Sequence, residues 1–302
     1  MRICVYGAGS LGSAIGGLLA DEHEVSFIGR PANVEAIRKA GLTIKGAVER
    51  AVEAEAHTSV EGLRQPELML ITTKSYNTRA VIEACRTWAG EGTNVLTLQN
   101  GLGNLELLRE WKGRSAFGGT TTMGAVLEAP GIVRLSGVGR VVVGGDLDAG
   151  SAESLSSLFT LAGIPSSVST DINGEIWAKA VVNASVNPLT AILGVRNGVL
   201  LESDTVSRLM SDICRECERV AEAVGVTLPP PTPYERVQLV ARQTAGNRSS
   251  MLRDVELGRR TEIESINGYI CRVGAKAGIP TPLNKSLVSM VQSLAYRPAE
   301  KG

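Results

Sequence analysis

Residues 2–20 read RICVYGAGSLGSAIGGLLA. The apolar, β-branched run Arg2–Tyr6 predicts a buried strand, and Ala14–Ala20 predicts an apolar helix. Between them the pattern G-x-G-x-x-G stands in the strand–loop–helix context that it requires. Its first glycine permits a tight turn, its second lets backbone approach a pyrophosphate, and its third lets the helix pack on the strand. The stretch therefore predicts a Rossmann-type dinucleotide-binding fold with these cofactor-binding residues: Gly7, Ala8, Gly9, Ser10, Leu11 and Gly12.

The N-terminal half continues as an alternation of short β-rich runs and helical stretches, which is typical of a parallel α/β sheet. Besides Arg2–Tyr6, strands are predicted at Glu24–Ile28, Leu68–Thr72, Asn94–Leu98, Arg140–Val143 and near Ser166–Ser169. Residues 31–66 and 127–168 carry no recognisable motif.

From Asp171 onward, long helical patterns replace this alternation. Helices are predicted over 172–193, 203–224, 233–246 and 248–277, with breaks at Pro188, at Gly225 and in the proline-rich segment 228–233. That segment favours a rigid connection over a peptide ligand for aromatic-lined domains. We therefore predict an α/β domain over 1–169 and an all-helical domain over 170–302, with the cleft between them as the default ligand site.

Composition excludes several classes of partner. Lys+Arg and Asp+Glu both number 31, so no net charge recruits nucleic acid or an anionic membrane. No apolar run reaches the roughly 18 residues that span a bilayer. The glycine-patterned start favours strand, loop and helix over a signal peptide. We therefore predict a cytoplasmic protein. Helical faces of the second domain could support a homodimer, although nothing in the sequence selects one.

Five cysteines occur, and Cys214-x-x-Cys217 could indicate redox or zinc chemistry. However, both cysteines lie on one apolar helix face, which favours core packing. There is no second such pair, and the only histidines are His23 and His57. We therefore predict reduced cysteines and no metal site.

The residue after the second strand selects the cofactor. In NAD sites an acid about 20 residues beyond the glycine loop holds the ribose 2′-hydroxyl. Here Arg30 lies 18 residues after Gly12, and its planar fork of donors suits a 2′-phosphate. We therefore predict NADP, against the alternative of a solvated arginine. Lys74 and Asn100 follow the third and fourth core strands, where ligands bind, although each could also merely solvate a strand end.

Glu175, Lys179, Asn183 and Asn187 recur every four residues and form a polar stripe on an otherwise apolar helix. Burying such a stripe without partners is costly, so it predicts a wet cleft or a ligand. Hydride reduction of a carbonyl needs a proton donor. Both histidines are expected in connecting segments, which favours Lys179 as that donor. The asparagines on the same face favour this role over a lysine that merely extends across apolar surface.

A second polar stripe is predicted on the helix 248–277. Ser250, Asp254, Gly258 and Glu262 also recur every four residues. They would present a hydroxyl, a carboxylate, a gap and a second carboxylate on one face. The alternative for Glu262 is an ordinary solvated acid on a helix.

These residues together resemble the ketopantoate reductase family. The likeness is carried by the glycine loop, Lys74, Asn100-Gly101, residues 119–122, the Lys179–Ala191 block, Ser249-Ser250-Met251 and Thr261-Glu262-Ile263. It extends over residues 7 to roughly 280, and the blocks Asn187–Ala191 and Ser249–Glu262 are its most specific parts.

The resemblance implies NADPH-dependent reduction of 2-dehydropantoate to pantoate, on the way to pantothenate and coenzyme A. It implies that Lys179 is the general acid and that Glu262 helps to place it while binding the 4-hydroxyl or the cofactor ribose. Substrate contacts are implied for Asn100, Lys179, Asn183, Asn187, Asn197, Asn247 and Ser250, and cofactor contacts for Lys74, Asn100, Ala125 and Glu262.

Two alternatives stay open. One is an enzyme of the same architecture that reduces a different 2-keto acid or an imine. The other is a catalytically silent NADP-binding regulator, which the presence of Lys179 within its polar stripe disfavours.

Overall fold

The computed structural model describes residues 1–145 and 149–294, which form two compact units. The first comprises Met1–Gln99 and Asn104–Ile172. The second comprises Asn100–Gly103 and the chain from Asn173 onward.

The first unit carries twelve strands among its described residues. In chain order they are β1 (Arg2–Tyr6), β2 (Glu24–Ile28), β3 (Leu42–Gly46), β4 (Arg50–Val52), β5 (Glu55–His57), β6 (Leu68–Ile71), β7 (Asn94–Thr97), β8 (Ala116–Thr121), β9 (Gly124–Ala129), β10 (Ile132–Gly137), β11 (Val141–Gly145) and β12 (Ser166–Val168). Its helices are α1 (Ser10–Leu19), α2 (Pro31–Ala40), α3 (Thr78–Cys85), α4 (Asn104–Lys112) and α5 (Ala149–Leu161).

The larger sheet has eight strands in the order β12-β11-β8-β7-β6-β1-β2-β5. All neighbours are parallel except β8 and β11. The strands β1 and β6 at its centre are almost fully buried, as expected where helices cover both faces of a parallel sheet. The predicted α/β fold is therefore confirmed, and each predicted strand is present within one or two residues of its expected bounds.

A second sheet, with the order β4-β3-β10-β9, packs against α1 and was not predicted. Its parallel pair joins Thr43 in β3 to Ile132 in β10, residues far apart in the chain. Short strands with such distant partners leave little local pattern, which explains why 31–66 and 127–168 carried no motif. The expectation that His57 lies in a connecting segment is wrong, because it ends β5.

The second unit is helical throughout its described part, as predicted. Its helices are α6 (Ile172–Leu193), α7 (Asp204–Ala223), α8 (Pro233–Gln243), α9 (Ser250–Glu256), α10 (Asn267–Ala277) and α11 (Pro282–Leu294). The first residue of α6, Ile172, still belongs to the first unit. Cys214 and Cys217 are buried in α7, and burial raises the pKa of both thiols, so they pack in the core as expected.

No helix within 1–145 and 149–294 combines the length and hydropathy needed to cross a bilayer. The same residues contain no cluster of three or more histidine, cysteine or acidic side chains placed to hold a metal ion.

Candidate active site

The glycine loop between β1 and α1 has the geometry that its sequence pattern predicts. Gly7 adopts a φ of +124°, and a Cβ there would lie 2.6 Å from the backbone nitrogen of Thr73. A Cβ on Gly12 would lie 2.1 Å from the carbonyl oxygen of Gly7. In contrast, a Cβ on Gly9 would have no closer neighbour than 3.9 Å. Gly7 and Gly12 are thus required by packing, whereas Gly9 leaves room for a ligand to approach the backbone.

Asn33 braces this loop, and sequence reasoning missed it. Its buried side chain donates to the carbonyl oxygen of Ala8 at 2.7 Å and accepts from the backbone N–H of Gly131 at 2.6 Å. The N–H groups of Gly7 and Ala8 donate to the carbonyl oxygen of Ile28, each at 2.9 Å. The backbone N–H groups of Gly7 and Ala8 are therefore already hydrogen-bonded. The N–H groups of the first turn of α1 are the natural donors to a phosphate.

Ser10 also has a structural partner, since its hydroxyl accepts from the backbone N–H of Leu127 at 2.9 Å. Arg30 is exposed two residues after β2, at the N-cap of α2. Lys74 is half-buried just after β6, and Ala125 is half-buried in β9. These predicted cofactor residues all belong to the first unit, whereas Asn100 and Glu262 belong to the second.

The polar stripe predicted on α6 is present, because the helix runs unbroken from Ile172 to Leu193. Lys179 and Asn183 are half-buried and Asn187 is buried. One turn before Lys179, the carboxylate of Glu175 lies 3.9 Å from a guanidinium nitrogen of Arg236. Three polar side chains therefore follow one another along one face of a helix that is otherwise packed in the core.

The pKa of Lys179 is lower than that of an ordinary lysine. Burial lowers the pKa of its ammonium to about 8, and the negative charge of Glu262 opposes part of that shift. Glu262 is itself buried, immediately before a 3-10 turn at Ile263–Ser265. A lysine with this pKa is largely protonated at neutral pH and releases its proton more readily than an ordinary lysine.

The break predicted at Pro188 is wrong, because α6 continues through it. Proline has no N–H, so the carbonyl oxygen of Ala184, four residues earlier, loses its helical partner. The buried side-chain amide of Asn267 replaces that partner and donates to the Ala184 oxygen at 3.0 Å. A donor 83 residues away thus satisfies the backbone here, which no local pattern could predict.

The single helix predicted over 248–277 is also wrong. The helix α9 ends at Glu256, and Gly258 takes the left-handed conformation with a φ of +60°. The chain then passes through the 3-10 turn before α10 begins at Asn267. Ser250, Asp254, Gly258 and Glu262 therefore do not share one helix face. The overlooked signal is Gly258 just after the helix, with Arg253 in its last turn, which is typical of a helix C-terminus.

Ser249 and Ser250 differ sharply in their surroundings. Ser249 is buried at the N-cap of α9, and its hydroxyl oxygen accepts from Leu252 N–H at 3.0 Å and from the hydroxyl of Thr190 at 2.7 Å. Ser250 is exposed, as is Asn247. Ser249 therefore joins α6 to α9, while Ser250 and Asn247 have side chains that a ligand can reach.

Asn197 is buried behind Asn247. Its backbone N–H donates to the carbonyl oxygen of Asn247 at 3.0 Å, and its side-chain amide donates to the hydroxyl of Thr244 at 2.8 Å. Its Oδ1 atom is buried and has no hydrogen-bond partner among the residues described. Asn197 thus holds Thr244 and the backbone of Asn247 in place, and its Oδ1 can accept one further hydrogen bond.

An α/β unit with a dinucleotide-binding loop, followed by a helical unit with a half-buried lysine and a buried glutamate, defines a dinucleotide-dependent oxidoreductase. Family models agree. The model described as "Ketopantoate reductase PanE/ApbA" matches residues 3–146, and its C-terminal counterpart matches residues 171–295. The chain therefore belongs to the ketopantoate reductase family.

Relatives and solved structures support this assignment. The chain is similar to the 2-dehydropantoate 2-reductase of Pyrococcus horikoshii, with 38% identity over 97% of each chain. It is also similar to a PanE/ApbA family ketopantoate reductase from Ralstonia eutropha, with 31% identity, coverage of 98% and 99%, and a TM-score of 0.92. A D-mandelate dehydrogenase in complex with NADH and anilino(oxo)acetate is 28% identical, with coverage of 98% and 99% and a TM-score of 0.93.

Proposed function

We propose that this protein reduces 2-dehydropantoate to pantoate with NADPH, and that Lys179 is the general acid. The observation that carries the proposal is the polar face of α6, on which an ammonium with a pKa of about 8 precedes two asparagines. The family assignment supplies the substrate, since relatives that span nearly the whole chain are named for this reaction.

The glycine loop fits a nicotinamide dinucleotide. The space beside Gly9 and the first turn of α1 would receive the pyrophosphate. When bound, the cofactor supplies a hydride to C2 of the keto acid. Arg30 supports NADP, because an exposed guanidinium at the end of β2 can pair with a 2′-phosphate. Lys74 and Ala125 would make further cofactor contacts.

Lys179 would hydrogen-bond the substrate carbonyl and transfer a proton from Nζ to its oxygen as negative charge develops there. Asn183 and Asn187 would hold the hydroxyl and carbonyl groups of the substrate. The accessible side chains of Asn247 and Ser250 would receive its carboxylate, with Asn197 behind them. Asn100 would contact both substrate and cofactor.

Glu262 would keep Lys179 protonated and in place, because its buried carboxylate raises the pKa of the ammonium. It would also accept a hydrogen bond from the 4-hydroxyl of the substrate or from the cofactor ribose. A half-buried lysine that carries its own counter-ion favours an enzyme over a silent dinucleotide-binding regulator.

A second candidate is reduction of a different 2-keto acid. The D-mandelate dehydrogenase, whose fold matches closely, was solved with NADH and an aromatic oxoacid derivative, which favours this alternative. Discrimination would lie in the 4-hydroxyl contact, which an aromatic oxoacid cannot make.

The test is oxidation of NADPH and of NADH with 2-dehydropantoate, its 4-deoxy analogue and phenylglyoxylate. The proposal expects the highest kcat/KM for NADPH with 2-dehydropantoate. The 4-deoxy analogue should lose roughly tenfold or more, since a buried polar group then stays unpaired. Equal turnover of the analogue would reject the 4-hydroxyl contact, and a preference for phenylglyoxylate would reject 2-dehydropantoate as the preferred substrate.

A further inference from the structure

Four buried polar groups form a chain of hydrogen bonds that crosses the second unit. The Asn267 amide donates to the Ala184 carbonyl oxygen at 3.0 Å and to Oδ1 of Asn284 at 2.9 Å. The Asn284 amide donates in turn to the carboxylate of Glu216 at 2.9 Å. Glu216 also accepts from the backbone N–H groups of Leu283 and Asn284, each at 3.0 Å. The chain links α6, α10, α7 and α11.

Burial shows that the network is built rather than incidental. Asn267 and Asn284 are 0% exposed and Glu216 is 3% exposed. Polar groups at such depth are costly unless they are hydrogen-bonded. Both hydrogens of the Asn267 amide are used, one on Ala184 and one on Asn284. Asn267 is therefore the one described residue through which the network reaches the backbone of α6.

The position of that contact matters for the proposed chemistry. Ala184 and Pro188 stand next to Asn183 and Asn187, so the missing helical hydrogen bond falls in the middle of the polar stripe. Asn267 also follows the turn that begins at Glu262. In that turn, the N–H groups of Ser265 and Ile266 both donate to the Glu262 carbonyl oxygen at 3.1 Å. One side chain thus spans the element that carries Lys179 and the element that carries Glu262.

We propose that Asn267 is a positioning residue, which replaces the hydrogen bond lost at Pro188 and so holds the polar face of α6 in register with Glu262. This inference rests on the proposed roles of Lys179 and Glu262. Asn267 touches neither substrate nor cofactor in this scheme. It acts through the backbone of α6, and a displacement of that backbone by about 1 Å is enough to slow a reaction about 100-fold.

The experiment is a double-mutant cycle between Asn267→Ala and Pro188→Ala. An alanine at position 188 restores an N–H that can donate to the Ala184 oxygen within the helix. Removing the Asn267 amide should therefore lower kcat about tenfold or more with proline present and less than about threefold with alanine present. The urea midpoint of unfolding should show the same rescue. Asn284→Ala is the matched control, because it is equally buried but does not touch Ala184.

The outcomes separate cleanly. Rescue of kcat in Asn267→Ala but not in Asn284→Ala by Pro188→Ala supports the proposal. Where Asn267→Ala alone fails to fold, Asn267→Ser takes its place with the same criterion on kcat. Equal losses in both backgrounds overturn it. Rescue of stability with kcat unchanged throughout overturns the positioning role. A wild type that reduces no 2-keto acid overturns the proposed function and the positioning role with it, whereas an active wild type with additive losses overturns this inference alone.

Discussion

The glycine loop of the first unit and the polar face of α6 in the second unit differ in the groups that they present and in the residues on which they depend. The loop presents backbone N–H groups, and its requirements are met by residues close in sequence, Gly7 to Gly12. The α6 face presents side chains, and it depends on Asn267 and Glu262, which come from a distant part of the chain. A site made of backbone groups is thus determined by residues close in sequence. A site made of side chains depends on the packing of residues that are distant in sequence.

In the proposed function, cofactor affinity rests on the loop and the chemical step on α6. Lys179→Ala should break the chemistry alone and has the largest expected effect. Removing a general acid costs about 100-fold to 10,000-fold in kcat, and we expect about 1,000-fold here. Stopped-flow measurement of hydride transfer gives the rate, and NADPH fluorescence titration is the control, which should change little. A loss of less than tenfold would remove Lys179 from the mechanism.

Two glycines test the loop in opposite ways. Gly12→Ala places a methyl group 2.1 Å from the Gly7 oxygen, so it should lower the free energy of unfolding by about 3 kcal/mol and weaken NADPH binding. Gly9→Ala meets nothing closer than 3.9 Å, so it should fold normally and raise the KM for NADPH about tenfold. Urea unfolding and steady-state kinetics separate the two. Equal destabilisation by both variants would contradict this account of the loop.

Arg30→Ala should sharpen the comparison further, because it removes a side chain from an otherwise backbone-based site. Loss of charge-assisted hydrogen bonds to a 2′-phosphate should raise the KM for NADPH by roughly 30-fold and leave that for NADH unchanged. The same kinetics with both cofactors make the measurement. Equal increases in the KM for NADPH and for NADH would show that Arg30 does not bind the 2′-phosphate.

The adjacent serines should give the smallest effects, of two different kinds. Ser249→Ala removes the N-cap of α9 and the partner of Thr190, so it should cost about 1 kcal/mol in the free energy of unfolding. Ser250→Ala should leave stability unchanged and raise the KM for 2-dehydropantoate about fivefold. Denaturation and steady-state kinetics of both variants decide. Reversed effects would mean that Ser249 is the ligand contact.

How far the sequence could predict the molecule follows from the same contrast. The strand, loop and helix around Gly7 and the helical stripe from Lys179 to Asn187 were predictable, since period and spacing are local. The passage of α6 through Pro188 was not, because its compensating donor lies on α10. The end of α9 at Glu256, just before Gly258, was not predicted although its signal was local, because the four-residue spacing favoured a longer helix. The pairing of Lys179 with Glu262 could be suggested by resemblance, but the lowered pKa of the lysine required the fold.

The central claim is that Lys179 donates the proton from an ammonium whose pKa its surroundings set, and the pH dependence of kcat/KM for 2-dehydropantoate tests it most directly. The reduction should be lost as pH rises through about 8, because the lysine is then deprotonated. In Glu262→Gln this limb should move to lower pH, since the carboxylate that raises the lysine pKa is gone. A wild-type rate that stays constant up to the ordinary lysine range, or a limb that moves upward in Glu262→Gln, would contradict the account.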